Sequence, residues 1–97
     1  MNLAVYKNKK VLITGSTGFK GSWLSFWLKK IGANVIGIGL KPEKNSFIFN
    51  SLNLNNTIKQ YYIDIRNFKE LDKIVKKEKP EIIFHLAAQS VVLKSIQ

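Results

Sequence analysis

The chain has no cysteine and a single histidine, His85. The first absence excludes disulfide frameworks and thiolate metal sites, and the second excludes a histidine-rich metal centre. Proline is nearly absent as well, with only Pro42 and Pro80, and there is no low-complexity linker or repeat of fixed period. No apolar run approaches the roughly 20 residues of a membrane span. The start, Met1-Asn2-Leu3-Ala4-Val5-Tyr6, has no charged region ahead of an apolar stretch and so does not read as a signal peptide. The cytoplasm is the expected location. At 97 residues the chain has room for one domain at most.

Acidic residues are scarce: six Asp and Glu stand against 16 Lys and Arg, for a net charge of +10. Arg66 is the only arginine. A balance of this kind raises nucleic-acid binding as a possibility. The lysines, however, are spread along the chain and are not interleaved with exposed aromatics. The accompanying richness in Asn and Ile is what an AT-rich coding sequence produces. Dispersed charge of this sort serves solubility, and no nucleic-acid partner is expected.

What is present is a strand followed by a glycine turn. Val11-Leu12-Ile13-Thr14 is an apolar run that stops at Gly15, and Gly18 and Gly21 follow at three-residue steps. A helical pattern begins inside them, with Leu24, Trp27, Leu28 and Ile31 on one stripe. Trp23 and Phe26 widen that stripe, and both tryptophans are expected in the core. Strand, glycine turn and helix in this order suit a dinucleotide pyrophosphate. Gly15 permits the tight turn, Gly18 the approach of backbone to phosphate, and Gly21 the close packing of helix on strand. Lys20 has two readings: a cation in the first helical turn opposes the helix dipole unless an anion binds there, or it is a surface lysine with its head in solvent.

The rest of the chain alternates strand and helix. Strands are expected at Lys10–Thr14, Asn34–Ile38, Gln60–Ile63 and Glu81–Leu86. Helices are expected at Gly18–Ile31 and Phe68–Lys77, with a short one at Ser46–Leu52 capped by Asn45 or Ser46. Asn67 is a good N-cap for the later helix, whose apolar face is Phe68, Leu71, Ile74 and Val75. The loop between Gly39 and Ser46 is marked by Gly, Pro and Asn. Alternation of this kind builds a parallel sheet covered by helices. The expected fold is α/β, the N-terminal half of a Rossmann-like doubly wound sheet with four parallel strands in the order 3-2-1-4.

Three stretches in this order, Thr14-Gly15-x-x-Gly18-Phe19-x-Gly21, Asp64-Ile65-Arg66 and His85-Leu86-Ala87-Ala88-Gln89, resemble the extended short-chain dehydrogenase/reductases, most of which act on nucleotide sugars. The stretches Thr14–Leu28 and Lys79–Gln89 are most similar to CDP-glucose 4,6-dehydratases. The resemblance runs from about Lys9 to Ser95 and is weak across Glu43–Lys59. It implies a partial NAD(P)-binding domain over residues 1–97, with the rest of the sheet and the sugar-binding domain beyond Gln97. It implies that Thr17, Gly18, Phe19 and Lys20 line the pyrophosphate. Asp64 and Ile65 would meet the adenine, and Leu86, Ala87, Ala88 and Gln89 would lie along the ribose and nicotinamide. Asp64 has a second reading as a carboxylate leading the helix capped by Asn67. His85 reads as a strand-end histidine with no partner and no chemical role.

The resemblance also implies an activity. Its enzymes oxidise the sugar at C4, eliminate water across C5–C6 and return the hydride from the nicotinamide. Two departures bear on that. The acid that usually ends the second strand would fall near Gly39, where there is none, and Lys41 sits just beyond. The family implies NAD, while a nearby cation suits NADP, so the choice stays open. The family's catalytic Thr/Ser with Asp/Glu and its Tyr-x-x-x-Lys are expected downstream of everything here; neither Tyr61 nor Tyr62 has a lysine four residues on. The chain alone is therefore expected to be inactive, and a non-catalytic nucleotide-binding or interaction module is the alternative. With no further strand to pair beyond it, Glu81–Leu86 is expected to be an open edge through which the chain self-associates.

Overall fold

The computed structural model describes residues 3–41 and 47–86. After a single 3-10 turn at Leu3–Tyr6 the elements are β1 (Lys10–Thr14), α1 (Phe19–Lys30), β2 (Asn34–Gly39), α2 (Phe47–Ser51), α3 (Leu54–Thr57), β3 (Lys59–Tyr62), α4 (Phe68–Glu78) and β4 (Ile82–His85). The strands form one sheet in the order β3-β2-β1-β4, and every pairing is parallel. Fold class and strand order are those expected. The 3-10 turn and α3 are additions, each too short to leave a periodic signature. The expected caps Asn45 and Ser46 lie outside the described residues.

β1 is central and its residues Val11–Thr14 are buried. Alternate side chains serve opposite layers, as a sheet covered on both faces requires. Val11 and Ile13 join Leu28, Val35, Phe49 and Leu54 under α1, α2 and α3. Leu12 joins Ile36, Ile38 and Ile74 under α4. Ile82 and Phe84 of β4 pack on the first cluster and Ile83 on the second, so β4 is apolar on both faces as expected.

Two side-chain placements correct the sequence reading. The inner face of α1 consists of Gly21, Ser22, Ser25 and Leu28, while Trp23 and Trp27 are 37% and 55% exposed. The helix lies too close to the sheet for large side chains to fit beneath its first two turns. The tryptophans turn outward, while Phe26 is half-buried against the core, with Trp23 edge-on to it at 6.1 Å and Lys30 Nζ 5.6 Å over its ring. Leu24 and Ile31 do pack against the core as expected. In α4, Leu71, Ile74 and Val75 face the sheet, but Phe68 at the first turn is 74% exposed. Its position falls before the helix has reached the sheet. Asn67 caps α4 as expected, its Oδ1 accepting from Glu70 N at 3.3 Å.

Opposite the glycine turn, at the amino edge of the sheet, Glu78 is a buried carboxylate with a nearly inaccessible side chain. It meets Lys59 Nζ at 2.7 Å and Lys10 Nζ at 3.4 Å, and it accepts from the Tyr61 hydroxyl. Burial pushes its pKa up, but the hydrogen bonds from Lys59 and Tyr61, with the attraction of Lys59, outweigh it and hold the carboxyl at about 2 against an ordinary 4.5. A carboxylate held below its unfolded pKa contributes stability that is complete above about pH 5 and lost as pH falls toward 2. Removing it leaves Lys10 and Lys59 without their carboxylate partner, a loss softened because both ammonium groups reach solvent. Glu78→Gln is therefore expected to unfold at lower denaturant at pH 7 and to lose most of the wild type's decline in stability between pH 5 and 2. Urea midpoints across that range check this; a wild-type slope retained by the variant contradicts it.

Candidate functional site

Because all four strands run the same way, their carboxyl ends share one edge of the sheet. β1 leaves that edge at Gly15, whose φ of +79° is the left-handed conformation that favours glycine. The turn is fastened on both sides. Gly15 N and Ser16 N donate to Ile38 O at 2.7 and 3.3 Å, and Gly18 N donates to Gly15 O at 3.1 Å. α1 then starts from Gly18, with Ser22 N donating to Gly18 O at 2.9 Å. Gly18 gives the helix no side-chain cap, and its first turn holds no acid. The N–H groups of Phe19, Lys20 and Gly21 precede the first intrahelical bond and point out of the helix end.

The three glycines have different reasons to be there. A Cβ on Gly21 would stand 2.0 Å from Gly15 O and 2.9 Å from Ser16 Cα, so nothing larger than glycine fits between α1 and the turn. A Cβ on Gly18 would meet only Gly15 O, at an ordinary 3.4 Å, and Gly18 has a negative φ of −79°. The chain itself does not require glycine there. The surface beside Gly18 is open backbone, flanked by exposed Phe19 and Lys20 and half-buried Thr17.

Residues not singled out from the sequence hold this turn in place. Ser22 Oγ donates to Ser16 O at 2.9 Å, and Ser16 Oγ donates to Gln60 Oε1 at 2.8 Å. A Cβ on Gly37 would come within 2.6 Å of Ser16 Oγ, and one on Gly39 within 2.8 Å of Thr17 Oγ1. The glycines of β2 thus make the seat into which Ser16 and Thr17 settle. The run of small residues at 21, 22 and 25 was the available signal for this close packing.

Asp64 and Ile65 stand just beyond β3. The Asp64 carboxylate accepts from Arg66 N at 2.9 Å and Arg66 Nε at 3.0 Å, and these bonds hold its pKa at about 2. Its carbonyl accepts from Asn67 N at 2.9 Å, so the residue does lead into α4. Ile65 is half-buried on the α4 side of the sheet. At the end of β4, His85 has a partner after all: its Nδ1 lies 2.8 Å from Thr14 Oγ1. Leu86 N donates to Thr14 O at 3.0 Å and Thr14 Oγ1 at 3.1 Å. The carboxyl ends of β1 and β4 are pinned together there. Ala87, Ala88 and Gln89 lie outside the described residues. The structure thus gathers Gly15–Gly21, Asp64, Ile65 and Leu86 along one sheet edge.

One tyrosine has the family's spacing to a lysine. Tyr6 and Lys10 stand four apart, but ahead of β1 and away from this edge. Tyr6 packs its ring 6.0 Å from that of Phe84, and Lys10 pairs with Glu78. The spacing there is coincidental to the site. Among the described residues no group of three or more His, Cys, Asp or Glu is arranged to hold a metal ion, and no helix is long and apolar enough to cross a membrane.

Residues 12–97 match the family model described as GDP-mannose 4,6 dehydratase. CDP-glucose 4,6-dehydratase of Salmonella typhimurium is 42% identical over 92 residues, covering 95% of this chain and 26% of that protein. The chain thus spans about a quarter of the length of that curated relative. Among solved structures, an epimerase from Methanothermobacter thermautotrophicus superposes with a TM-score of 0.67 at 32% identity, over 90% of this chain and 25% of the other. A UDP-glucose 4-epimerase from Stenotrophomonas maltophila, solved with bound NAD, shares the fold with a TM-score of 0.69 at 20% identity, over 90% of this chain and 26% of that one. Sequence, strand order and glycine turn agree: the chain belongs to the GDP-mannose 4,6-dehydratase family of extended short-chain dehydrogenase/reductases.

Proposed function

We propose that this chain binds the pyrophosphate of NAD or NADP at the start of α1, as the cofactor-binding portion of a nucleotide-sugar 4,6-dehydratase that acts on CDP-glucose. The observation that carries the cofactor reading is Gly18. Its neighbours within the chain leave room for a side chain, so the bare backbone there serves something from outside. Three outward N–H groups and the positive end of the helix dipole suit that something to be an anion. The similarity to the Salmonella enzyme supports CDP-glucose as the sugar nucleotide.

In this reading Thr17, Gly18, Phe19 and Lys20 hold the pyrophosphate, and Gly15 and Gly21 shape the turn. Asp64 and Ile65 meet the adenine. Leu86, followed by Ala87, Ala88 and Gln89, borders the ribose and nicotinamide. When bound, the nicotinamide supplies a reversible hydride acceptor.

Two substitutions separate binding from folding. Gly18→Asp places an N-cap carboxylate on the free N–H groups, which supports the helix while repelling a pyrophosphate. Its melting temperature is expected to hold and NAD(P) binding to vanish in calorimetric titration. Gly21→Ala forces α1 off the turn and is expected to cost about 1–3 kcal/mol of stability. Equal binding by wild type and Gly18→Asp moves the site elsewhere. The purified chain, assayed with CDP-glucose and either dinucleotide, is expected to form no 4-keto-6-deoxy product; turnover at a rate near that of a full-length relative contradicts this.

The reading includes association of two copies through β4, which among the described residues pairs on one side only, with β1. Sedimentation is expected to show concentration-dependent dimers. A monomer at high concentration, with slow amide exchange at Ile82–His85, contradicts it.

A further inference from the structure

A polar side chain reaches across a face of the sheet that is otherwise apolar. Alternate residues of a strand serve opposite faces, and Val11, Ile13 and Val35 line the face under α1. Gly37 lies on that face too, in register with Ile13 on one side and with Gln60 of β3 on the other. Glycine at 37 leaves the space that the Gln60 side chain needs. A Cβ there would stand 2.3 Å from Gln60 Oε1 and 2.6 Å from Ser16 Oγ. Over this gap Gln60 meets the glycine turn, where the Ser16 hydroxyl donates to Gln60 Oε1 at 2.8 Å.

The direction of that bond is fixed from the other end of the amide. Gln60 Nε2 donates to Tyr61 O at 2.9 Å. A backbone carbonyl only accepts, so the amide nitrogen must face Tyr61, the amide oxygen must face Ser16, and the Ser16 hydroxyl must donate. Ser16 is fully buried and is gripped a second time from α1, where Ser22 Oγ donates to its carbonyl at 2.9 Å. The Ser16 carbonyl and the Thr17 N–H belong to one planar trans peptide and point in opposite directions. Holding the carbonyl toward Ser22 sends the Thr17 N–H the other way. Among the described residues that N–H donates to nothing.

Resting on the pyrophosphate reading above, we infer that Gln60 is a positioning residue of the anion site. Acting from β3 through Ser16, it fixes the peptide that presents the Thr17 N–H to the pyrophosphate, without touching the ligand itself. The test is calorimetric titration of NAD and NADP into wild type, Gln60→Met, Ser16→Ala and the double variant, at a temperature where amide spectra show each to be folded. Met keeps the length of glutamine and removes its amide. Ser16→Ala removes a single oxygen and carries the test alone if Gln60→Met does not fold. Each single variant is expected to bind both dinucleotides about tenfold more weakly, the worth of one hydrogen bond. The double variant is expected to lose no more than either single one, because both break the same link. In the isotopically labelled chain, the shift change that the ligand produces at the Thr17 amide is expected to shrink in Gln60→Met, while those at Phe19 and Lys20, set by α1, persist. A general loss of stability would not single out Thr17. Wild-type affinity in a folded Gln60→Met or Ser16→Ala, or losses that multiply in the double variant, overturns the inference and leaves the pyrophosphate site standing. Failure of wild type to bind either dinucleotide overturns both.

Discussion

Everything at the carboxyl edge of this sheet depends on how closely α1 approaches the turn that follows β1. The approach is set by Gly21, where even a methyl group would lie 2.0 Å from a backbone oxygen. Close approach brings Ser22 within reach of the Ser16 carbonyl and fixes the turn from above. It also aims the first N–H groups of the helix at the open backbone of Gly18. Below, the turn rests on Gly37 and Gly39 of β2, where a side chain would occupy the space that Ser16 and Thr17 now fill. The turn is thus clamped between a helix and a strand that have both given up side chains to it. Such clamping places polar backbone groups before any ligand arrives, which lowers the ordering cost of binding.

The two ends of the sheet manage charge in opposite ways. At the amino edge a buried carboxylate is surrounded by Lys10, Lys59 and Tyr61, and the strand and helix ends there are tied into one cluster. At the carboxyl edge Lys20 and Lys41 are exposed, and Asp64, the acid near them among the described residues, is matched by Arg66. In a chain of net charge +10, the most thoroughly buried acid among the described residues, Glu78, thus lies at the opposite edge of the sheet from the site. The field left at the glycine turn is positive, which suits a ligand that carries phosphates.

The fold was legible because its signals are local and repeated. An apolar run ending at Gly15 and a cap at Asn67 each mark a boundary. Their alternation leaves few topologies open. The turn was legible for the same reason. What the pattern could not reveal was which side of α1 faces the sheet. Hydrophobicity assigned that side to the tryptophans, but proximity assigned it to Gly21, Ser22 and Ser25, because backbone clearance outranks side-chain hydrophobicity where helix and sheet nearly touch. Phe68 was misplaced for a related reason, since an apolar residue in a first turn need not yet overlie the sheet. The Thr14–His85 pair and the Glu78 cluster join residues 71 and 17 to 68 positions apart, a separation at which periodicity carries no information.

The account's central claim is that the turn from Thr17 to Gly21 is a phosphate site shaped in advance. Amide chemical shifts followed while NAD or NADP is titrated into the isotopically labelled chain test it most directly. The account predicts that the largest changes fall on the amides of Thr17, Gly18, Phe19, Lys20 and Gly21, with smaller ones at Leu40 and Lys41 and little change at Lys59 and Glu78. Changes centred on the lysines of α4, or scattered evenly over the basic surface with none at Gly18 and Phe19, would contradict it.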